Sequence, residues 1–376
     1  MAIDRDAREA LVDAVRGAAS TGPRPFIDEH AGPRRDERLW SLLTGQMGLA
    51  GLLVTEQDGG AGAGIAEVAL VLEQIATSLA VVPALSSLGV ATALLRVLDT
   101  HEAAALSSEL ASGALTAAVS WPAPESYSVT PVLVAIGAPG VGATVAVSGH
   151  ADFVLDGMDS DLLLAPARCG DTAVVVSIET SNQWVQRTAM EALDLTRGVA
   201  SVELTEASST VVGVGADVQA ALDIALVLIS AEQIGIAQHC HDSAVAWAKE
   251  RIQFDRPIGQ FQAIKHQLVD LLMALELARS TMDGAVAAAE RYLEERTTAA
   301  ALELSVAASM AKASCGDAAV LVADESLHIF GGIGFTWEHD AHLYFRRAKT
   351  LELFLGNPAS HRSRCAKLLL EEAARG

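Results

Sequence analysis

From Asp217 to Phe330 the sequence runs through three helix-patterned segments of about 30 residues each, where about 11–12 is the norm. They read DVQAALDIALVLISAEQIGIAQHCHDSAVAWAKERIQF, FQAIKHQLVDLLMALELARSTMDGAVAAAERYL and TAAALELSVAASMAKASCGDAAVLVADESLHIF. The first has the pattern of one long amphipathic helix, and the other two follow as helices of similar length. Helices this long, joined by short connections, have to lie side by side. They predict a bundle, of a kind that is often oligomeric.

The preceding zone differs. Residues 119–214 hold short apolar runs rich in valine, threonine and glycine, such as VLVAI, ATVAVSG, TAVVVSI and VASVELTEASSTVVG. Such runs between turn residues predict a β-sandwich or barrel. Residues 1–118 show helical spacing again, in DERLWSLLTGQMGLAGLL and IAEVALVLEQIATSLAVV. DGGAGAG (58–64) reads as a loop and Pro83 as a break. The order is therefore helical (1–118), strand-rich (119–214) and four-helix-like (215–376).

Composition narrows the function. A formal charge of −21 argues against a nucleic-acid partner, because phosphate binding needs a basic surface. A phosphate-bearing ligand would need a locally basic pocket. Cys169, Cys240, Cys315 and Cys365 form no C-x-x-C pair and fit reduced thiols in a cytoplasmic protein, with no metal site expected. The first residues, MAIDRDAREALVDAVRGAA, lack the apolar stretch of a signal peptide. No uninterrupted apolar run approaches the roughly 18 residues of a membrane span.

Two stretches carry chemistry. ERIQFDRPIGQFQAIKHQLVDL (250–271) joins two helices through a tight, proline-containing turn and presents Arg251, Phe254 and Gln262 around it. Arginine is a natural diphosphate partner, and Phe and Gln can stack on and bond to a flat ring. A capped hairpin with a solvated arginine fits the same residues. ESLHIFGGIGFTWEHDAHLYFRRAK (325–349) offers Gly331, Gly332 and Gly334, which permit close backbone approach to a ligand. Glycine-rich turns alone are common.

Together the two stretches are specific. R-x-Q-F-x-x-P-I-x-x-F-Q, with GG-x-GFTWEH and RRA about 80 residues on, resembles the C-terminal flavin-contacting signature of the acyl-CoA dehydrogenase family. LWSLLTGQMGLAGLLVTEQDGGAGAG and VVPALSS are similar to that family's N-terminal half, so the resemblance spans essentially the whole chain. It implies an α+β multidomain fold with an N-terminal α-helical domain, a middle β-domain and a C-terminal four-helix bundle. It also implies FAD shared across a subunit interface, an acyl-CoA substrate, and an electron-transfer flavoprotein as acceptor. Carried over by position, Arg251, Gln253, Phe254, Gln262, His328, Gly331 and Gly332 would contact a neighbour's FAD at its pyrophosphate and adenosine end. His328 stands where a glutamine is usual and can still donate a hydrogen bond.

The pattern breaks where the chemistry should be. α,β-Desaturation needs a carboxylate to take the α-proton, opposite a flavin that takes the β-hydride. The resemblance puts that base at Leu355, just before Gly356, or at Ala225 on the first long helix. Neither is acidic. The family's two flavin-ring segments fall on VSWPAPES (119–126) and FVL (153–155), which lack the pattern of hydroxyl donors that normally meets the isoalloxazine. Three ring-side elements are lost while the adenosine-side hairpin is kept. That fits a subunit that completes a neighbour's site without running its own.

GFTWEHDAHLYFRRA and DLTRGVA look like actinobacterial members that act on steroid side-chain CoA thioesters as α2β2 heterotetramers. The implied partner is a catalytic paralogue. Two other readings stay open: a self-sufficient enzyme with a relocated base, Glu232 first, and an acyl-CoA-binding scaffold without flavin. Glu232 is more readily a capping or interface residue, and Glu352 a partner of Arg346 or Lys349. Arg346 and Arg347 could reach phosphates or cap the next helix. His339 and His342 have metal-like spacing without a third ligand.

Overall fold

The computed structural model describes residues 5–20, 33–122, 127–215 and 218–374. The first helices are α1 (Arg5–Ser20), α2 (Glu37–Ser41), α3 (Ile65–Ala76), α4 (Thr92–Leu98) and α5 (His101–Ala111). Two π-helical stretches, Leu42–Gln46 and Ala84–Ala91, interrupt them. The second begins directly after Pro83, which has no N–H to continue the preceding turn.

Strands β1 (Ala117–Val119), β2 (Leu133–Gly137), β3 (Thr144–Leu155), β4 (Leu162–Cys169), β5 (Thr172–Glu179), β6 (Val185–Ala189) and β7 (Val199–Val214) follow. Their order is β1-β4-β2-β3-β7-β5, and a further β4–β5 pairing closes the ring, so the sheet is a barrel rather than an open sandwich. β1 and β2 run parallel to β4 along successive parts of it, and β6 pairs with β7 outside the ring. Strand alternation divides the barrel residues between two cores. Leu163, Ala165, Val174, Val176 and Val202 fill the barrel, while Leu162, Leu164 and Val175 face the helices.

The bundle consists of α6 (Val218–Glu250), α7 (Gln262–Glu295), α8 (Thr298–Phe330), α9 (Ala341–Leu353) and α10 (Pro358–Ala373). A miniature hairpin, β8 (Ile252–Gln253) and β9 (Arg256–Pro257), joins α6 to α7. Three long helices are thus completed by two shorter ones, both packed on α8. Asn357 explains where α10 begins: its Oδ1 accepts the Ser360 amide at 2.9 Å, with Pro358 in the first turn.

The amphipathic expectation for 217–254 needs correction. Apart from half-buried Gln219, every residue from Val218 to Ala237 is buried. The helix also stops at Glu250, short of Phe254. α6 is wrapped by α3, α7, α8, α9 and the Ala84–Ala91 stretch, so it has no solvent face over its first half. Small residues make this possible: a Cβ on Gly235 would lie 2.2 Å from the Glu73 carbonyl of α3. α6 and α8 are long and apolar enough to cross a bilayer, but the apolar stretch of α6 is wholly buried inside the protein.

Candidate functional site

α6 ends, α7 begins and α8 ends at the same end of the bundle, because each helix runs back along the one before it. The structure gathers there the residues expected to meet a cofactor. The hairpin pairs Ile252 with Pro257 and Gln253 with Arg256, leaving Phe254 and Asp255 to turn the chain. Both have left-handed backbones, φ +53° and +61°. Asn-Gly normally fills such a turn, so Phe254 is strained, and it is also 86% exposed. The Ile258 amide donates to the Arg251 carbonyl at 2.8 Å and closes the hairpin. The Arg251 guanidinium lies 5.8 Å from the ring centre of Trp247, whose edge meets Phe330, immediately before Gly331.

The remaining members join less tightly. Gln253 turns its amide back onto the Ile252 carbonyl at 2.8 Å. Gln262 opens α7, exposed, and exposed His328 sits 5.9 Å from the Phe335 ring. Gly331 has φ +68°, and a Cβ at Gly331 or Gly332 would meet nothing within 4 Å. The backbone there faces open space. Ile252, Phe335 and Trp337 are also exposed. This end of the bundle is an apolar and cationic surface built around a strained tip.

The positions matched to the base are different in kind. Ala225 is 0% exposed on α6, and Leu355 is 1% exposed with φ +60°. Neither offers a proton acceptor. Lys312 of α8 donates to the carbonyls of Glu352 at 3.0 Å and Gly356 at 3.1 Å, and His361 of α10 meets the Leu355 carbonyl at 2.9 Å. Burial pushes Lys312 down to about 7 and His361 down to about 4.

Glu232, considered as a displaced base, is tied into a buried ionic network. Its Oε1 accepts from Arg197 at 2.6 Å and from Arg347 at 2.5 Å. Arg347 also pairs with Asp194 and donates to Thr196 Oγ1 at 2.6 Å. Burial alone would raise the Glu232 carboxyl, but the two guanidinium groups override it and hold it below its usual range. A carboxylate held that way is a poor base. Arg347 therefore reaches neither a phosphate nor a helix end. Arg346 does stay near the surface, its guanidinium 5.6 Å from the Trp337 ring centre. Glu352 pairs with Lys349 at 2.6 Å, and His339 Nδ1 accepts the Ala341 amide at 3.1 Å.

A small, partly open space of about 10 Å³ is lined by Leu85, Ser86, Val90, Val119, Trp121, Leu155, Ile229 and Phe354. Trp121 and Leu155 belong to the two stretches matched to the flavin ring, and both are buried. Ser120 is buried as well, while residues 123–126 of the first stretch lie outside the described residues. Trp121, Leu155 and Phe354 thus crowd the side that the resemblance gives to the flavin ring. Ser86, one of the residues lining the space, donates to half-buried Asp156 at 2.5 Å; desolvation raises the Asp156 carboxyl, with Arg197 pulling the other way.

Sequence reasoning missed the Arg197–Glu232–Arg347–Asp194 network, although DLTRG and RRA were both visible as motifs. It also missed Lys312, for which a lysine at a small-residue position in an alanine-rich helix was the available signal; Trp121 lay inside the VSWPAPES stretch, but nothing there marked its ring as a wall of the small space.

The family profile described as acyl-CoA dehydrogenase, C-terminal domain, matches residues 214–370, and the corresponding N-terminal profile matches residues 5–114. The chain is 32% identical over 346 residues to the acyl-CoA dehydrogenase IpdE2 of Mycolicibacterium smegmatis, covering 89% of this chain and 92% of that one. Among solved structures it is similar to a variant of the Tcur3481–Tcur3483 steroid ACAD, with TM-score 0.82, 25% identity, and 98% and 99% of the two chains covered. It is also similar to the ChsE4–ChsE5 complex from Mycobacterium tuberculosis, with TM-score 0.79, 26% identity and 98% of each chain covered.

Proposed function

The chain belongs to the acyl-CoA dehydrogenase family, and from that premise we propose that it is the base-less subunit of a heteromeric, FAD-dependent acyl-CoA dehydrogenase. In this role it lends its hairpin end to FAD held mainly by a catalytic paralogue. The observation that carries the proposal is the filled ring-side space, where Trp121, Leu155 and Phe354 leave about 10 Å³ beside a buried Leu355. A subunit running its own site needs that volume for a flavin ring and an acyl chain.

The hairpin end supplies the other half. Arg251 can pair with a diphosphate, and Phe254 with Gln262 can meet a ring. Gly331 and Gly332 leave the backbone open to close approach. FAD bound there supplies the hydride acceptor; the α-proton goes to a carboxylate on the partner, since Leu355 and Ala225 can take none. Val269, Leu272, Met273 and Leu277 lie exposed along one side of α7. Such a stripe is consistent with a helix that packs against another subunit. The similar proteins named as a steroid ACAD and as a two-protein complex support a steroid CoA ester as substrate and a heteromeric assembly; the α2β2 stoichiometry and the electron-transfer flavoprotein acceptor rest on the sequence resemblance alone.

Co-expression tests this. The chain alone should purify colourless, and with a catalytic paralogue it should yield a yellow, active complex. A yellow and active homo-oligomer of this chain sinks the proposal.

A further inference from the structure

We propose that Lys312 and His361 form a clamp that locks the 354–357 loop shut, so that Phe354 stays fixed as a wall of the filled space and its closure is built into the fold. This rests on the reading that the chain's own pocket is out of use.

The loop has an unusual shape. Leu355 and Gly356 both adopt left-handed conformations, at φ +60° and +102°. An L-residue rarely holds that conformation unless its surroundings impose it. Two left-handed residues in succession turn the chain sharply between α9 and α10 and aim carbonyls inward. The Leu355 and Gly356 carbonyls lie past the end of α9 and the Glu352 carbonyl lies in its last turn, where the helix has no further amides to offer. They are satisfied from two other helices: Lys312 bridges the Glu352 and Gly356 carbonyls, and His361 takes the Leu355 carbonyl between them.

Both clamp residues are 0% exposed. The Lys312 ammonium is bonded to carbonyls rather than to a carboxylate, an expensive way to bury a cation. A fold that needed only apolar filling at this position would use leucine or methionine. What the lysine adds is geometry, since one ammonium reaches two carbonyls on opposite sides of the turn. Half-buried Phe354, one residue before Leu355, is thereby held where it lines the small space together with Trp121, Leu155 and Ile229.

Hydrogen exchange on the full chain tests the clamp. In the wild type the hydrogen-bonded loop amides, those of Phe354 and Gly356, should exchange no faster than those of α8. In Lys312→Met the loop amides should exchange at least tenfold faster while α8 is unchanged. Equal acceleration of loop and helix would make Lys312 a general stabiliser and overturn the clamp, as would no acceleration of either. If Lys312→Met does not fold, His361→Leu removes one donor and should loosen the loop alone; an unchanged loop in that variant overturns the proposal too. Flavin content is a separate readout. A loop that loosens in the variants, in a chain that never turns yellow with any catalytic paralogue, would leave the clamp standing and defeat the subunit reading.

Discussion

The hairpin end of the bundle and the filled space beside Trp121 are built on opposite rules. The first keeps an arginine, an apolar tip and two open glycines in solvent, and holds Phe254 in a strained turn to do so. The second keeps two carboxylates and two guanidinium groups out of solvent, with half-buried Asp156 beside them, around an apolar plug. An exposed feature that costs stability is understandable when something else uses it. A buried charge network adjoining a filled space is tied to the fold itself. Substitutions on the sealed side should therefore register as stability, and those on the open side as assembly and flavin.

The strongest way to break that comparison is Arg347→Met. Removing one partner from a buried ionic network leaves Glu232 and Asp194 under-compensated, a loss of about 3–5 kcal/mol. Chemical denaturation of the chain alone should register it. A loss below about 1 kcal/mol would mean that the network is not part of what holds the sealed side together.

Acid titration comes next. His361 has an ordinary value of 6.5 and is pushed down to about 4 in the fold, chiefly by burial and then by the nearby Lys312 charge. Between pH 6.5 and 4 the unfolded chain binds a proton that the folded chain refuses. Stability contributed by the neutral imidazole is therefore complete above 6.5 and is lost as pH falls toward 4. One such group accounts for up to about 3 kcal/mol. His239, also pushed to about 4 by burial, acts in the same direction. Denaturant midpoints measured from pH 7 to 4 should fall, and His361→Gln should flatten part of the slope. An unchanged slope in that variant would move the acid sensitivity elsewhere.

The two regions also differ in how far the sequence disclosed them. The open end was legible because its signals are local: R-x-Q-F and GG-x-G lie within short stretches, and helix connections of this length force α6, α7 and α8 to share an end. Leu355 and Ala225 were matched to the base positions by resemblance alone, and what the structure adds is that both are buried. The sealed side was not. Arg197 and Arg347 meet Glu232 across separations of 35 and 115 residues, and no periodicity encodes which charge meets which. The same limit explains α6, which read as an amphipathic helix, whereas its first half is buried all round, with α3 packed on Gly235. Sandwich and barrel were likewise indistinguishable until the β4–β5 pairing closed the ring.

Phe254 sharpens the comparison from the open side. Its left-handed backbone is unfavourable for an L-side chain by roughly 1–2 kcal/mol, and its ring, 86% exposed, recovers little by burial in the isolated chain. Phe254→Gly should therefore raise the stability of the chain alone by up to about 1 kcal/mol, the relief being partly offset by glycine's greater freedom when unfolded. The same substitution should lower flavin retention in the co-expressed complex. A variant that both stabilises the chain and leaves flavin untouched would mean that the strained tip serves neither fold nor cofactor.

Arg251→Ala has the smallest expected effect on the chain and the clearest separation of the two regions. The guanidinium is exposed and stacks loosely on Trp247, so stability should stay within about 0.5 kcal/mol of wild type. In the complex, loss of a charge-assisted contact to a diphosphate should weaken flavin binding about tenfold, read as the absorbance ratio of flavin to protein after dialysis. Arg251→Lys keeps the charge without the planar fork and should fall between the two. Flavin occupancy unchanged in both variants would remove the phosphate role from the hairpin. A large stability loss would show instead that Arg251 belongs with the buried side, and the division between an open edge and a sealed one would fail at its best-placed residue.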